Sequence, residues 1–182
     1  MVATESFATA LCDYKNLPTP RQYASIAVLD GSIYIFGGLG YTSLGDCHKI
    51  NVSLPSITTS TVPATVPVTV KSLSVPSFVP PLYGATLTVS PVNNTQLMLV
   101  GGLLNETSPN KHIFTFSTTS SEWHDPFTLS QCPTARWYHQ SCTVGRQMFV
   151  FGGLSETEND GLNDLWIVGG SLKHITMIIN LH

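Results

Sequence analysis

Charged side chains are scarce in this sequence. Only 10% of its 182 residues are Asp, Glu, Lys or Arg, whereas an average globular domain has about 25%. The formal net charge is −3 and the isoelectric point is near 6.0. The chain therefore lacks the basic surface that nucleic acids and anionic lipids require, and we predict that no nucleic acid is among its partners.

Long apolar runs are also missing. The longest are Ile33–Phe36, Leu97–Val100 and Met148–Phe151, each far shorter than the roughly 18 residues of a membrane-spanning helix. The N-terminal segment carries Glu5 and no Lys or Arg up to Leu11, which is untypical of a signal peptide. The sequence predicts no membrane span in this chain. Its compartment stays open between the cytoplasm and, for a longer parent protein, secretion or the cell surface.

Cysteine is sparse, and its spacing is uninformative. No CxxC pair occurs, so neither a zinc site nor a thioredoxin-type redox site is supported. We expect buried or half-buried free thiols, although an even number of cysteines also allows two disulfides. The four are Cys12, Cys47, Cys132 and Cys142.

What the sequence does contain is a repeat. Four apolar residues followed by a glycine pair and a leucine occur three times. Each unit follows another apolar, strand-like segment, and in the first repeat the two are joined by Asp30-Gly31, a dipeptide typical of tight hairpins. The glycine pairs are Gly37-Gly38, Gly101-Gly102 and Gly152-Gly153, and the preceding segments are Tyr23–Leu29, Tyr83–Val89 and Tyr138–Val144.

Two further strands are predicted after each glycine pair. A third apolar segment follows a polar loop in every repeat, and seven residues beyond its last residue lies another large apolar side chain. A constant step of this kind is what a hairpin needs to place two bulky groups opposite each other. We therefore predict four strands per repeat and no long helix. The predicted pairs are Ile50 with Ile57, Phe116 with Trp123, and Val168 with Ile175.

These features resemble the kelch repeat. The resemblance rests on the glycine pairs, on Arg21 and Arg136 at the starts of two repeats, and on Phe116 and Trp123, which stand where the family has Tyr and Trp. It covers roughly residues 18–168. It implies an all-β fold, a partial kelch-type β-propeller of about three four-stranded antiparallel blades.

Three repeats are too few to close a ring, because propellers have about four to eight blades. We therefore expect the chain to be a fragment of a larger propeller, with uncovered end blades that favour self-association. The predicted organisation is a lead-in at 1–17, repeat one with a Ser/Thr/Pro/Val-rich linker at 18–79, repeat two at 80–132, and repeat three with an irregular tail at 133–182. Part of the linker is expected to supply an outer strand, and the tail either supplies one at 174–179 or is irregular.

No catalytic, cofactor-binding or metal-binding residues are predicted. The glycine pairs lack the Lys, the Ser or Thr and the helix of a phosphate loop, so we interpret them as sites of close backbone packing. Galactose oxidase is a kelch-type propeller enzyme, but the six histidines here show no HxH or HxxxH spacing for a copper site. Arg21 and Arg136 are expected to bind carbonyls or a carboxylate of a neighbouring blade.

The function predicted from the resemblance is that of a non-enzymatic protein-interaction scaffold. An unidentified protein partner would bind the loops after the glycine pairs, at 39–45, 103–111 and 154–163. Two alternatives stay open: a piece of a secreted or cell-surface propeller of carbohydrate-binding or galactose-oxidase-like type, and a remnant with no independent role. Low charge, abundant Ser and Thr, and the N-x-S/T sequons at Asn51, Asn93 and Asn105 slightly favour the first.

Overall fold

The computed structural model describes residues 11–12, 17–53, 65–66, 68–127, 133–157, 161–169 and 175–180. All regular structure in these ranges is β, and none of the described residues forms a helix that could cross a membrane. The strands are β1 (Leu11–Cys12), β2 (Ser25–Leu29), β3 (Ser32–Leu39), β4 (Ser43–Val52), β5 (Thr65–Val66), β6 (Val68–Leu73), β7 (Tyr83–Val89), β8 (Gln96–Asn105), β9 (Ser108–Pro109), β10 (Ile113–Ser117), β11 (Glu122–Phe127), β12 (Arg136–Trp137), β13 (Gln140–Val144), β14 (Gln147–Phe151), β15 (Leu154–Ser155), β16 (Asp164–Gly169) and β17 (Ile175–Asn180).

The strands form three antiparallel meanders, which we call blades. Blade 1 has the order β2-β3-β4-β6, blade 2 the order β7-β8-β10-β11, and blade 3 the order β13-β14-β16-β17. The short strand β9 adds to β8, β12 pairs with β15, and β1 pairs in parallel with β5. The all-β fold class, with four-stranded antiparallel blades in a partial propeller, is therefore confirmed.

The outer strands agree with the predicted seven-residue step in two blades and differ in the third. Phe116 lies opposite Trp123, and Val168 lies opposite Ile175. Ile50, however, pairs with Val70, so its predicted pairing with Ile57 is wrong. Ile57 itself lies outside the described residues. The alternating Val68-Thr-Val70 in the linker suits a half-buried strand, and the long insertion before it moves the outer strand along the sequence.

The core lies between the blades, and the middle strands β8 and β10 of blade 2, which has a neighbour on each side, bury both of their faces. We call the side of a blade that points to the next blade its forward face and the opposite side its rear face. The forward face of blade 1 packs on the rear face of blade 2, and the forward face of blade 2 packs on the rear face of blade 3. The forward faces are Tyr34, Phe36 and Cys47 in blade 1 and Met98, Val100 and Ile113 in blade 2; the rear faces are Leu97 and Leu99 in blade 2 and Met148 and Val150 in blade 3.

The glycine pairs let neighbouring blades approach backbone to backbone. The first glycine of each pair has a φ between 61° and 65°. A Cβ on Gly37 would lie 2.2 Å from the Leu82 carbonyl oxygen, and one on Gly101 would lie 2.4 Å from the Arg136 carbonyl oxygen. Both carbonyls belong to the start of the next blade. Any side chain at these two positions would therefore push the blades apart.

Replacement of Gly37 by alanine should separate this steric cost from the cost of the positive φ. Gly145 has the same φ of 61°, and its Cβ would meet no atom within 4 Å. We expect Gly145→Ala to lower the free energy of unfolding by about 1–2 kcal/mol, and Gly37→Ala by a further 1–3 kcal/mol, roughly. Urea unfolding of both variants would measure the difference. Equal losses would show that the interblade contact tolerates a methyl group.

Candidate interaction site

An arginine clamp holds together the start and the middle of blade 1. The guanidinium of Arg21 donates two hydrogen bonds to the carboxylate of Asp46, at 2.5 and 2.8 Å, and a third to the Gly37 carbonyl at 2.9 Å. It also donates to the carbonyl of Thr19. The hydrogen bonds from Arg21, and secondarily from His48, lower the pKa of Asp46 to about 2 despite its partial burial. The clamp therefore holds the glycine pair against the segment that precedes the first strand of the blade.

Blade 3 repeats the same clamp. Arg136 binds the Asp164 carboxylate at 2.7 and 2.8 Å and donates to the Gly152 carbonyl at 2.9 Å. The hydrogen bond from Arg136 is the main reason that the pKa of Asp164 lies below its ordinary value. Carbonyls or a carboxylate are the partners predicted for both arginines, and each arginine binds both. The expectation that the carboxylate would come from a neighbouring blade is wrong, because Asp46 and Asp164 lie in the same blade as their arginines.

Blade 2 has no arginine clamp and uses an asparagine instead. Leu82 stands in the position of Arg21 and Arg136, and the Asn110 amide donates to the Gly101 carbonyl at 3.1 Å. The same amide group also binds the carbonyl of His112 at 2.7 Å. Asn110 is buried. Asn110 was not among the residues predicted from the sequence, because it lies after the glycine pair rather than before it.

The two clamps differ in exposure, and this predicts different energetic costs. The side chain of Arg136 is 2% exposed and its partner Asp164 is 17% exposed, whereas Asp46 is 42% exposed. Arg136→Leu, which copies the residue of blade 2, leaves a desolvated carboxylate and should lower the free energy of unfolding by about 3–5 kcal/mol. Arg21→Leu should lower it less, because water can hydrate Asp46. Chemical denaturation of the two variants would contradict this if Arg21→Leu were the more damaging.

A polar seam joins the inner strands of blades 2 and 3, where the inner strand is the first of each blade: β2, β7 and β13. His139 is 1% exposed, and its Nε2 lies 2.9 Å from the hydroxyl of Thr86. The Ser141 hydroxyl donates to the same oxygen at 2.8 Å. The His139 Nδ1 has no hydrogen-bond partner among the described residues. Burial, together with the nearby charge of Arg136, lowers the pKa of His139 from 6.5 to about 4.

This shift predicts an acid-labile seam. Because the folded state binds the proton more weakly than the unfolded chain, His139 reduces stability as the pH falls from about 6.5 to about 4. The pKa shift of Asp46 affects the stability only at lower pH, between about 3.8 and 2. His139→Gln should therefore flatten the pH dependence of the melting temperature between pH 6.5 and 4 and leave the lower window unchanged. An unaltered profile in the upper window would rule out His139 as its source.

A row of three equivalent residues marks the beginning of the inner strands. Tyr23, Gly84 and Tyr138 have φ values of 56°, 65° and 57°. The Gly84 amide donates to the Tyr23 carbonyl at 2.9 Å, and the Tyr138 amide donates to the Gly84 carbonyl at 2.8 Å. The rings of Tyr23 and Tyr138 meet above Gly84, with centroids 4.8 Å apart. A Cβ on Gly84 would lie 2.7 Å from the Tyr138 ring, so the glycine makes this contact possible.

The predicted binding loops lie at the same end of the blades as this row. Gln22, next to Tyr23, bridges to Leu39 at the start of the first loop, and Trp137, next to Tyr138, pairs with Leu154 at the start of the third. Ser43 in the first loop donates to the Leu104 carbonyl in the second at 2.8 Å. Part of the third loop, at 158–160, lies outside the described residues. This end exposes large apolar side chains: Tyr23, Tyr41, Leu104, Tyr138 and Leu154.

The remaining sequence candidates are dispersed over the molecule. Cys47 is a buried free thiol, whose burial raises its pKa to about 12, and Cys142 is free and exposed. The side chains of Cys12 and Cys132 lie outside the described residues. All three sequon asparagines are exposed: Asn93 lies between β7 and β8, Asn105 is the last residue of β8, and Asn51 lies in β4 and accepts a hydrogen bond from Ser32. No three metal-binding side chains converge within the described part of the chain.

Stacked four-stranded meanders with close contacts at their glycine pairs define the class of the protein, a β-propeller fold. A model of the KLHDC2/KLHL20/DRC7 Kelch-repeats domain matches residues 68–178. The chain therefore belongs to the kelch-repeat family. Membership of this family supports a role of the protein-interaction type.

Two curated proteins are similar to this chain over part of their own length. The chain is 28% identical over 152 residues to acyl-CoA-binding domain-containing protein 4 of Arabidopsis thaliana, an alignment that covers 83% of this chain and 22% of that protein. It is 29% identical over 92 residues to the Rho GTPase-activating protein gacHH of Dictyostelium discoideum, covering 48% of this chain and 6% of that protein. The chain thus spans about a fifth of the first relative and a small part of the second.

Proposed function

We propose that this chain is a non-enzymatic scaffold that binds a protein partner through the end of the blades that carries Tyr23 and Tyr138. One observation carries the proposal. Two tyrosine rings in contact, 49% and 39% exposed, stand where three loops begin. Tyrosine is enriched among the residues that dominate protein–protein affinity, because it buries a large rigid surface and keeps one polar group.

The backbone at these positions supports a functional reason for the tyrosines. A positive φ costs a non-glycine residue about 1–2 kcal/mol, and Gly84 shows that the equivalent position accepts glycine. The fold therefore imposes a positive φ at this position of every blade but does not demand a tyrosine side chain there, which makes that φ unfavourable at Tyr23 and Tyr138. Strain of this kind is typical of binding sites.

The neighbouring structure keeps the tyrosines in a fixed position. The hydrogen-bonded row through Gly84 links their backbones across three blades. Burial raises the pKa of Tyr138 still further above neutral pH, and a neutral phenol can both donate and accept a hydrogen bond. A preorganised aromatic surface loses little side-chain entropy on binding. This combination favours recognition over catalysis.

The double variant Tyr23→Gly/Tyr138→Gly tests the proposal. We expect its melting temperature to equal or exceed that of the wild type, because glycine removes the positive-φ strain. We also expect a loss of about tenfold or more in partner binding, the equivalent of about 1.4 kcal/mol. The measurement compares proteins retained from source-cell extract by immobilised wild type and variant, with affinities then determined on the purified partner.

Val92→Ser provides the matched control. Val92 is 36% exposed and lies in the β7–β8 hairpin, at the other end of blade 2 from Tyr83. It should retain full binding. A partner that binds the double variant as tightly as the wild type would place the interaction elsewhere, and turnover of a substrate by the purified chain would overturn the non-enzymatic role.

A further inference from the structure

Two apolar faces of the blades are partly uncovered in the part of the chain that the structure describes. They are the rear face of blade 1 and the forward face of blade 3, against which no described sheet packs. On the first, Ile26 and Val28 are 58% and 64% exposed; on the second, Val144 and Phe151 are 64% and 45% exposed. Surfaces of this kind mark interaction sites in soluble proteins.

The two uncovered faces match the two halves of the existing interblade contacts. Phe149, Phe151 and Leu165 of blade 3 occupy the positions that Tyr34, Phe36 and Cys47 occupy in blade 1. Ile33 and Ile35 of blade 1 occupy the positions of Leu97 and Leu99 in blade 2. The forward face of blade 3 is therefore built to receive a rear face of the kind that blade 1 presents.

The surroundings of Gly152 also indicate that the forward face of blade 3 lacks a neighbouring blade. At Gly37, a Cβ would meet its own blade at the Leu44 carbonyl, 3.0 Å away, and the next blade at the Leu82 carbonyl. At Gly152, the contact with its own blade remains, at 3.1 Å from the Leu162 carbonyl, but no carbonyl of a next blade is present. By position, Arg21 is the residue whose carbonyl would fill that place, as Leu82 and Arg136 do for the other two blades.

We propose that two copies of this chain associate head to tail, with blade 3 of each packed on blade 1 of the other. The interface continues the blade stacking already present, with Gly152 of one copy facing the Arg21 carbonyl of the other. Two arcs of three blades give a ring of six, within the four to eight of closed propellers. A head-to-tail contact that closes on itself ends at a dimer rather than a filament. The proposal does not depend on the partner-binding surface at Tyr23 and Tyr138.

Sedimentation equilibrium on the 182-residue chain tests this arrangement. The wild type should have twice its chain mass of 19.7 kDa. Phe151→Asp and Ile35→Lys should each be monomeric, because either variant damages both contacts of its own dimer. An equimolar mixture should regain the dimer, because one contact then pairs Asp with Lys and the other is wild type. Val92→Lys, away from both faces, should remain dimeric.

Gly152→Ala gives a second test that adds only a methyl group. We expect it to weaken association by about tenfold or more, whereas Gly145→Ala, with a similar φ and open space, should not. Circular dichroism would show that each variant keeps its β-structure. A monomeric wild type, an open series of larger species, variants that stay dimeric, or a mixture that stays monomeric would each overturn the proposal.

Discussion

Backbone contact between adjacent sheets is the constraint on which the rest of this structure depends. At Gly37 and Gly101 a β-carbon would lie within 2.4 Å of a carbonyl oxygen of the next blade, so the blades reach their packing distance only where the side chain is missing. That approach brings the blades close enough for their middle strands to bury every face that meets a neighbouring blade. It also explains why large side chains such as Phe36 and Met98 become core residues, although each belongs to a sheet that is only four strands wide.

The few charges of the chain are used to fix this contact. Arg21 and Arg136 bind the carbonyl of the first glycine and a carboxylate of the same blade. A planar guanidinium can make both contacts at once, which a lysine ammonium cannot do with the same geometry. Blade 2 achieves the carbonyl contact with the neutral amide of Asn110. The protein thus stabilises three equivalent glycine pairs with two different chemistries.

The fixed packing of the blades also positions the residues proposed for recognition. Tyr23, Gly84 and Tyr138 are equivalent in the repeat, yet only the outer two carry side chains, and the glycine between them makes room for the rings to meet. The strain of the two tyrosines and their exposure lie at the end where the loops gather. A scaffold whose core lies between blades can vary these positions, since their side chains contribute little to the burial of the middle strands.

Much of the fold could be predicted from the sequence, because each repeat encodes its own meander. Alternating apolar residues, Asp30-Gly31 and the step from Phe116 to Trp123 act over a few residues, and the strands they predict are present. Tertiary structure alone decided that Ile50 pairs with Val70, that each arginine binds within its own blade, and that His139 is buried against Thr86. Those contacts join residues 20 or more positions apart, and their geometry arises only when the sheets stack. Local patterns therefore determine what each blade is, while the packing of one backbone on another determines what its residues touch.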